Sequence, residues 1–171
     1  MKTRTIGPIL AVVFCCAAGC SDQQLQGELA GLRAHSDLLE ANKALVLRTH
    51  EEVWSKGNLA VIDELYSPEY VAHWGDEDDT DREDIKTLVT KARTALPDLT
   101  EEVVHIVAEG DLVVTYFTSS GTFTGEMNGL EPTGNAVSRP EIAVHRIVDG
   151  KIVEQWTVAD QLTLMKQLGL M

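Results

Sequence analysis

Residues 42–171 read as one α+β domain, helices first and an antiparallel sheet after them. Three observations predict it. Up to Pro97 the apolar residues recur at helical spacing, and beyond it they alternate with period two. Gly110-Asp111 and Asp149-Gly150 sit between alternating runs as tight turns, the second a strong hairpin signal. A chain of 171 residues, 44% hydrophobic and 24% charged, has room for one ordinary core and the composition to fill it.

The elements follow in order. Asn42 is expected to cap a helix that runs to about Lys56 and stops at Gly57, with Val46, Leu47, His50, Val53 and Trp54 on one face. Asn58 caps a second short helix carrying Val61, Ile62 and Leu65 inward, closed by Ser67-Pro68. Residues 70–74 form a short extended piece before the acidic run Asp76–Asp84. Thr80 followed by Glu83 is a capping-box pattern. The helix it opens buries Ile85, Leu88, Val89, Ala92 and Leu96, and Pro97 ends it. Four strands are expected over 101–109, 112–124, 136–148 and 151–160, and a closing helix over 161–168.

Charge narrows the function classes. Lys and Arg number 14 against 27 Asp and Glu, a formal net charge of −13. Such a surface excludes a phosphate-tracking nucleic-acid binder and charge-driven docking on anionic lipid. All three cysteines, Cys15, Cys16 and Cys20, precede the domain, so the domain has no thiol nucleophile, thiolate metal site or internal disulfide.

Those cysteines lie in a targeting segment. Lys2 and Arg4 form a short positive region, and Ile6–Ala18 an apolar stretch of signal-peptide size. It ends Ala17-Ala18-Gly19-Cys20, which resembles the bacterial lipobox, where cleavage leaves a lipid-bearing cysteine at the new N-terminus. The expectation is a signal peptide over 1–19, a polar, partly helical tether over 20–41, and a membrane anchor at Cys20 in the bacterial cell envelope. The alternative is an ordinary signal peptide cut nearby.

The last hairpin can be folded from its turn. With Asp149-Gly150 at the tip, Val148 pairs with Lys151, Ile147 with Ile152, His145 with Glu154, Ala143 with Trp156, Glu141 with Val158 and Arg139 with Asp160. One face then collects Arg139, Glu141, His145, Glu154, Trp156 and Asp160, and the other Ile142, Val144, Val153 and Thr157. Periodicity leaves open whether the ionisable face lines a pocket or meets solvent.

From residue 42 onward the chain resembles the SnoaL-like polyketide cyclases of the nuclear transport factor 2-like superfamily. Carrying the resemblance are Glu52-Val53-Trp54-Ser55-Lys56-Gly57-Asn58, Tyr70-Val71-Ala72-His73, Leu96-Pro97-Asp98-Leu99, Gly121-Thr122-Phe123-Thr124-Gly125, and Arg146 through Trp156 with Asp160. The resemblance implies a cone-shaped curved antiparallel sheet wrapped around N-terminal helices, with a deep pocket. It implies cofactor-free, metal-free aldol ring closure of an aromatic polyketide ester, Asp160 acting as general acid/base and His73 assisting. Trp156, Glu154, His145, Arg139, Phe123, Trp74 and Tyr116 would line the pocket. Phe123 stands where the family often has histidine, which makes the pocket more apolar. The ligand is expected to be small and apolar or aromatic, and these folds often form homodimers through the convex face of the sheet.

Each residue also has a plainer reading. Asp160 precedes a helix and is placed to cap it. His73 is equally a half-buried, hydrogen-bonded histidine, and His145 opposite Glu154 an ordinary cross-strand pair. His50, on the apolar face of the first helix, reads as a core histidine. The functional alternative to the enzyme is a lipid-anchored binding protein using the same pocket without chemistry.

Overall fold

The structure is a computed structural model that describes residues 13–74, 80–127 and 129–171. The expected n-region, most of the signal-peptide core and the run 75–79 lie outside the described residues, as does the Cys20 side chain. The chain divides into two units, Met1–Leu38 and Leu39–Met171. No described helix is long and apolar enough to cross a membrane.

The first helix, α1 (Val13–Arg48), runs straight through the expected tether and past Asn42, which is buried inside it rather than capping it. No proline interrupts 22–48, and the isolated Gly27 and Gly31 weaken the helix without ending it. The chain then widens into a π-helical segment, Thr49–Ser55, a rare conformation that recurs at functional sites. After α2 (Ala60–Leu65) comes β1 (Tyr66–His73), which takes in the extended piece expected from residue 70 and begins four residues earlier. Next come α3 (Arg82–Ala95), then β2 (Thr100–Glu109), β3 (Leu112–Thr122), β4 (Ala136–Val148), β5 (Lys151–Ala159) and α4 (Gln161–Gln167). The capping box of α3 falls one residue later than expected: Asp81 accepts from the Glu83 and Asp84 amides, and Asp84 reaches back to the Asp81 amide.

The sheet is mixed, in the order β1-β5-β4-β3-β2, because β1 lies parallel to β5 while the other pairs are antiparallel as expected. Pro68, expected only as the stop of the second helix, lies inside β1, an edge strand, where a missing N–H costs no ladder bond. The turn at Asp149-Gly150 forms as expected, with both residues in the left-handed region at φ 49° and 71°.

The helices cover one face of the sheet, here called inner. Val46, Val53, Ile62, Leu65, Ile85 and Val89 pack there against Val113, Ile147 and Ile152. A second, smaller core gathers Ala95, Phe123, Val137 and Leu168 under α4. Gly125 sits so close to the end of α3 that a Cβ would lie 1.9 Å from the Thr94 carbonyl oxygen, so no larger residue fits.

Candidate functional site

The final hairpin departs from its expected register at one residue. Val148 pairs with Lys151 and Ile147 with Ile152 as expected, but the next pair is Arg146 with Glu154, leaving Val153 as a bulge. One inserted residue reverses the parity of the rest of β5. His145 therefore faces Gln155, Ala143 faces Thr157, and Glu141 faces Ala159. Gln155 and Thr157 share the inner face with His145 and Glu141, while Glu154, Trp156 and Val158 are on the outer face. Thr157, expected on the outer face, is buried within.

The expected site residues thus separate into groups. His73 stacks on Trp156 at 5.3 Å and meets Glu154 at 3.1 Å through Nε2, with the Arg146 guanidinium 5.5 Å from the Trp156 ring, all on the outer face. Trp74 is half-buried beside the core, and its indole nitrogen has no partner among the described residues. Tyr116 is on the outer face, stacked on His105. Phe123 is buried in the second core.

Asp160 is exposed and caps α4. Its carboxylate accepts from the Thr163 hydroxyl at 2.6 Å and the Thr163 amide at 2.9 Å, and these bonds hold its pKa below the usual aspartate value. A carboxylate so held is a weak base. Asp160→Ala is expected to lower the melting temperature by a few degrees and Asp160→Asn to leave it nearly unchanged, because Asn caps about as well. Thermal unfolding of both variants checks this.

Arg139 and His145 remain on the inner face, and there they join groups from other elements. His50, in the π-helical segment, is buried with Nδ1 2.6 Å from Glu101 Oε2 and Nε2 3.3 Å from the Thr115 hydroxyl. Glu101 opens β2, and its second oxygen accepts from Ser119 at 3.5 Å. Ser55 holds the two segments together: its hydroxyl donates to the His50 carbonyl and accepts from the Glu101 amide. Phe117 packs 4.5 Å from the His50 ring. His145 meets His50 edge-on at 6.2 Å, and Glu141 is buried against Arg139 at 3.0 Å.

Burial dominates the electrostatics of this group. It raises the Glu101 carboxyl above its usual range, with the His50 hydrogen bond pulling the other way. It pushes the His145 imidazole down to about 3, helped by His50. His145 is therefore neutral at physiological pH, and its Nδ1 has no partner among the described residues. Among those residues no three His, Cys, Asp or Glu side chains converge as a metal site would require.

Sequence reading left His50 as a core histidine and gave Glu101 no role. The two stand 51 positions apart, and nothing short of the β2–β3 register and the packing of the π-helical segment brings them together. What signal there was lay in a histidine on an apolar helical face.

A family model described as SnoaL-like polyketide cyclase matches residues 44–168. The chain belongs to the SnoaL-like polyketide cyclase family. AclR of Streptomyces galilaeus, proposed to be a hydroxylase, is 34% identical with a TM-score of 0.71, over 78% of this chain and 83% of its own. IdmH of Streptomyces antibioticus, proposed to be a polyketide cyclase, is 32% identical with a TM-score of 0.67, over 75% of this chain and 98% of its own. A SnoaL-like protein of Jannaschia sp. CCS1 shares the fold at 24% identity and a TM-score of 0.71, over 76% of this chain and 92% of its own. No curated protein matches significantly. The SnoaL-like domain thus has the nuclear transport factor 2-like α+β fold: N-terminal helices on a curved five-stranded mixed sheet.

Proposed function

We propose that the SnoaL-like domain is a cofactor-free cyclase acting on a small carbonyl compound or polyketide-like ester, with His50 as the proton-transfer group. The observation that carries this reading is the buried imidazole held between the Glu101 carboxyl and the Thr115 hydroxyl. With Glu101 accepting the Nδ1 proton, Nε2 carries a lone pair, as a general base requires. His50 takes the proton from the carbon between ketone and ester. The carbanion attacks a further ketone or aldehyde carbon elsewhere in the same molecule, a C–C bond forms as that C=O π bond opens, and the resulting alkoxide recovers the proton from His50. Atoms and charge balance without a co-reactant. The Nδ1 of His145, which has no partner among the described residues, supports a role in holding a substrate oxygen. Asp160 keeps the role of a helix cap in this reading.

Incubation with aryl β-keto esters that carry a further ketone or aldehyde placed for six-membered ring closure, followed by mass analysis, tests it. Ring closure by aldol addition gives a product of unchanged mass but altered absorption. Release of unaltered ester would favour the non-catalytic binding protein. A product heavier by one oxygen would favour hydroxylation, the chemistry proposed for AclR.

Export and lipidation at Cys20 belong to the same proposal, supported by the Ala17-Ala18-Gly19-Cys20 motif. Cys20→Ser is expected to release the protein from the membrane on fractionation; unchanged detergent dependence would contradict an anchor there. A homodimer through the outer face of the sheet is supported by the exposed row Tyr116–Ile142–Val158. Light scattering of the wild type and Val158→Lys across a dilution series decides it, equal mass at every concentration being the contrary result.

A further inference from the structure

Residues 22–38 of α1 are exposed on every side, although the segment is helical throughout. It contains Gly27 and Gly31, each about 1 kcal/mol less favourable in a helix than alanine. A solitary helix of this length is marginal in water even without glycine. Leu25, Leu29 and Leu32 are nevertheless exposed by 65%, 44% and 68%. Their spacing is that of a coiled-coil seam. With Leu25, Leu32 and Leu39 at the d positions, the a positions are Asp22, Leu29 and Ser36. Only Leu38 among these leucines is off the seam. Both glycines fall at outward positions, where nothing approaches them within 4 Å.

The flanking charges identify the occupant. The e positions are Gln26, Arg33 and Glu40, and the g positions Glu28 and His35. In a parallel pair each g residue faces the e residue five positions on in its partner. Glu28 then meets Arg33 of the other copy, and His35 meets Glu40. The two-fold axis repeats both contacts. An antiparallel pair with the same overlap matches Glu28 with His35 but leaves Arg33 against Gln26 and Glu40 without a cation. Leucine at every d position is also a feature of two-stranded parallel coils.

We propose that residues 22–40 form a parallel, two-stranded coiled coil with the same segment of a second copy of this chain. Asp22 and Ser36 at a positions weaken the seam, so the association is dilution-sensitive unless the copies are held together elsewhere.

Disulfide trapping tests this in the full-length chain with Cys15, Cys16 and Cys20 changed to serine. Leu32→Cys, at d, faces its own copy in a parallel coil and in no antiparallel one. Ala34→Cys, on the outward side, serves as the comparison. Covalent dimer at 32 is expected to form roughly tenfold faster than at 34. Adding Glu28→Arg should slow trapping at 32, and Arg33→Glu on top of it should restore the rate. Equal rates at 32 and 34 overturn the proposal, whether the leucines are bare or covered by lipid or by another protein. Charge reversal without effect overturns the parallel pairing. Dimerisation through the sheet gives no preference for position 32.

Discussion

His50→Gln is expected to reduce ring closure by about two to four powers of ten while leaving the domain folded, because general acid/base transfer contributes on that scale. Glutamine keeps a polar side chain toward Glu101 and Thr115 but cannot take up and return a proton. Glu101→Gln should lose in the same direction. It leaves the ring a neighbour to bond with but removes the carboxylate that favours a proton on Nδ1 and a lone pair on Nε2. Its pH–rate profile should also shift, which a purely structural role for Glu101 would not produce. Steady-state rates against pH on both variants, with circular dichroism to confirm folding, check this. A His50→Gln enzyme with wild-type turnover would remove His50 from the mechanism.

The second large effect concerns stability in acid. Burial holds the His145 imidazole near 3 in the folded state, against about 6.5 in an unfolded chain. Between those values the unfolded chain binds the extra proton, so folding stability falls as pH drops from about 6.5 towards 3. The loss is on the order of 3–5 kcal/mol at the acid end, a large part of a small domain's stability. Glu101 acts in the opposite sense. Its carboxyl is raised on folding, so its contribution declines as pH rises through the ordinary carboxylate range and beyond. The two are separated by variant. His145→Leu removes the titrating group and, since Nδ1 has no partner among the described residues, costs at most the ring's contact with the Val113 backbone, which is the same at every pH. The variant's denaturation curves should lie progressively above those of the wild type as pH falls below 6.5. Parallel pH dependences would show that His145 carries no such penalty.

Much of the fold was legible in the sequence, and the physics explains the boundary. The change of period at Pro97 and the Asp149-Gly150 turn fix the four antiparallel strands within two residues at each end. Both signals are local, so a linear reading catches them. Of β1 only residues 70–73 were legible as extended: Ser67-Pro68 reads locally as a helix stop, and the edge position that admits a proline is a property of the whole sheet. The hairpin face was right near the turn and wrong beyond Val153. A bulge adds one residue, and the adjacent polar pair Glu154-Gln155 does not show by itself where, so counting outward from the turn carries the error to every later residue.

The same bulge explains why the expected site scattered. His145 and Arg139, both on β4, kept their face, whereas Glu154 and Trp156, on β5, lost theirs. The legible features of Asp160, a strand before it and a helix after it, fit a cap as well as a catalyst, and its bonds to Thr163 are those of a cap. The His50–Glu101 pair has no local signature: one partner comes from a π-helical segment, the other from the start of a strand, and Ser55 bonds to both.

Proton abstraction is the step on which this account turns, and deuterium exchange reports it without requiring ring closure. An aryl β-keto ester in heavy water exchanges its acidic C–H slowly, and the loss of that signal by NMR measures enzymatic abstraction above the background. The account predicts accelerated exchange by the wild-type protein, the same acceleration by Asp160→Asn, and background exchange by His50→Gln. Acceleration that survives in His50→Gln and vanishes in Asp160→Asn would contradict it and return the base to Asp160.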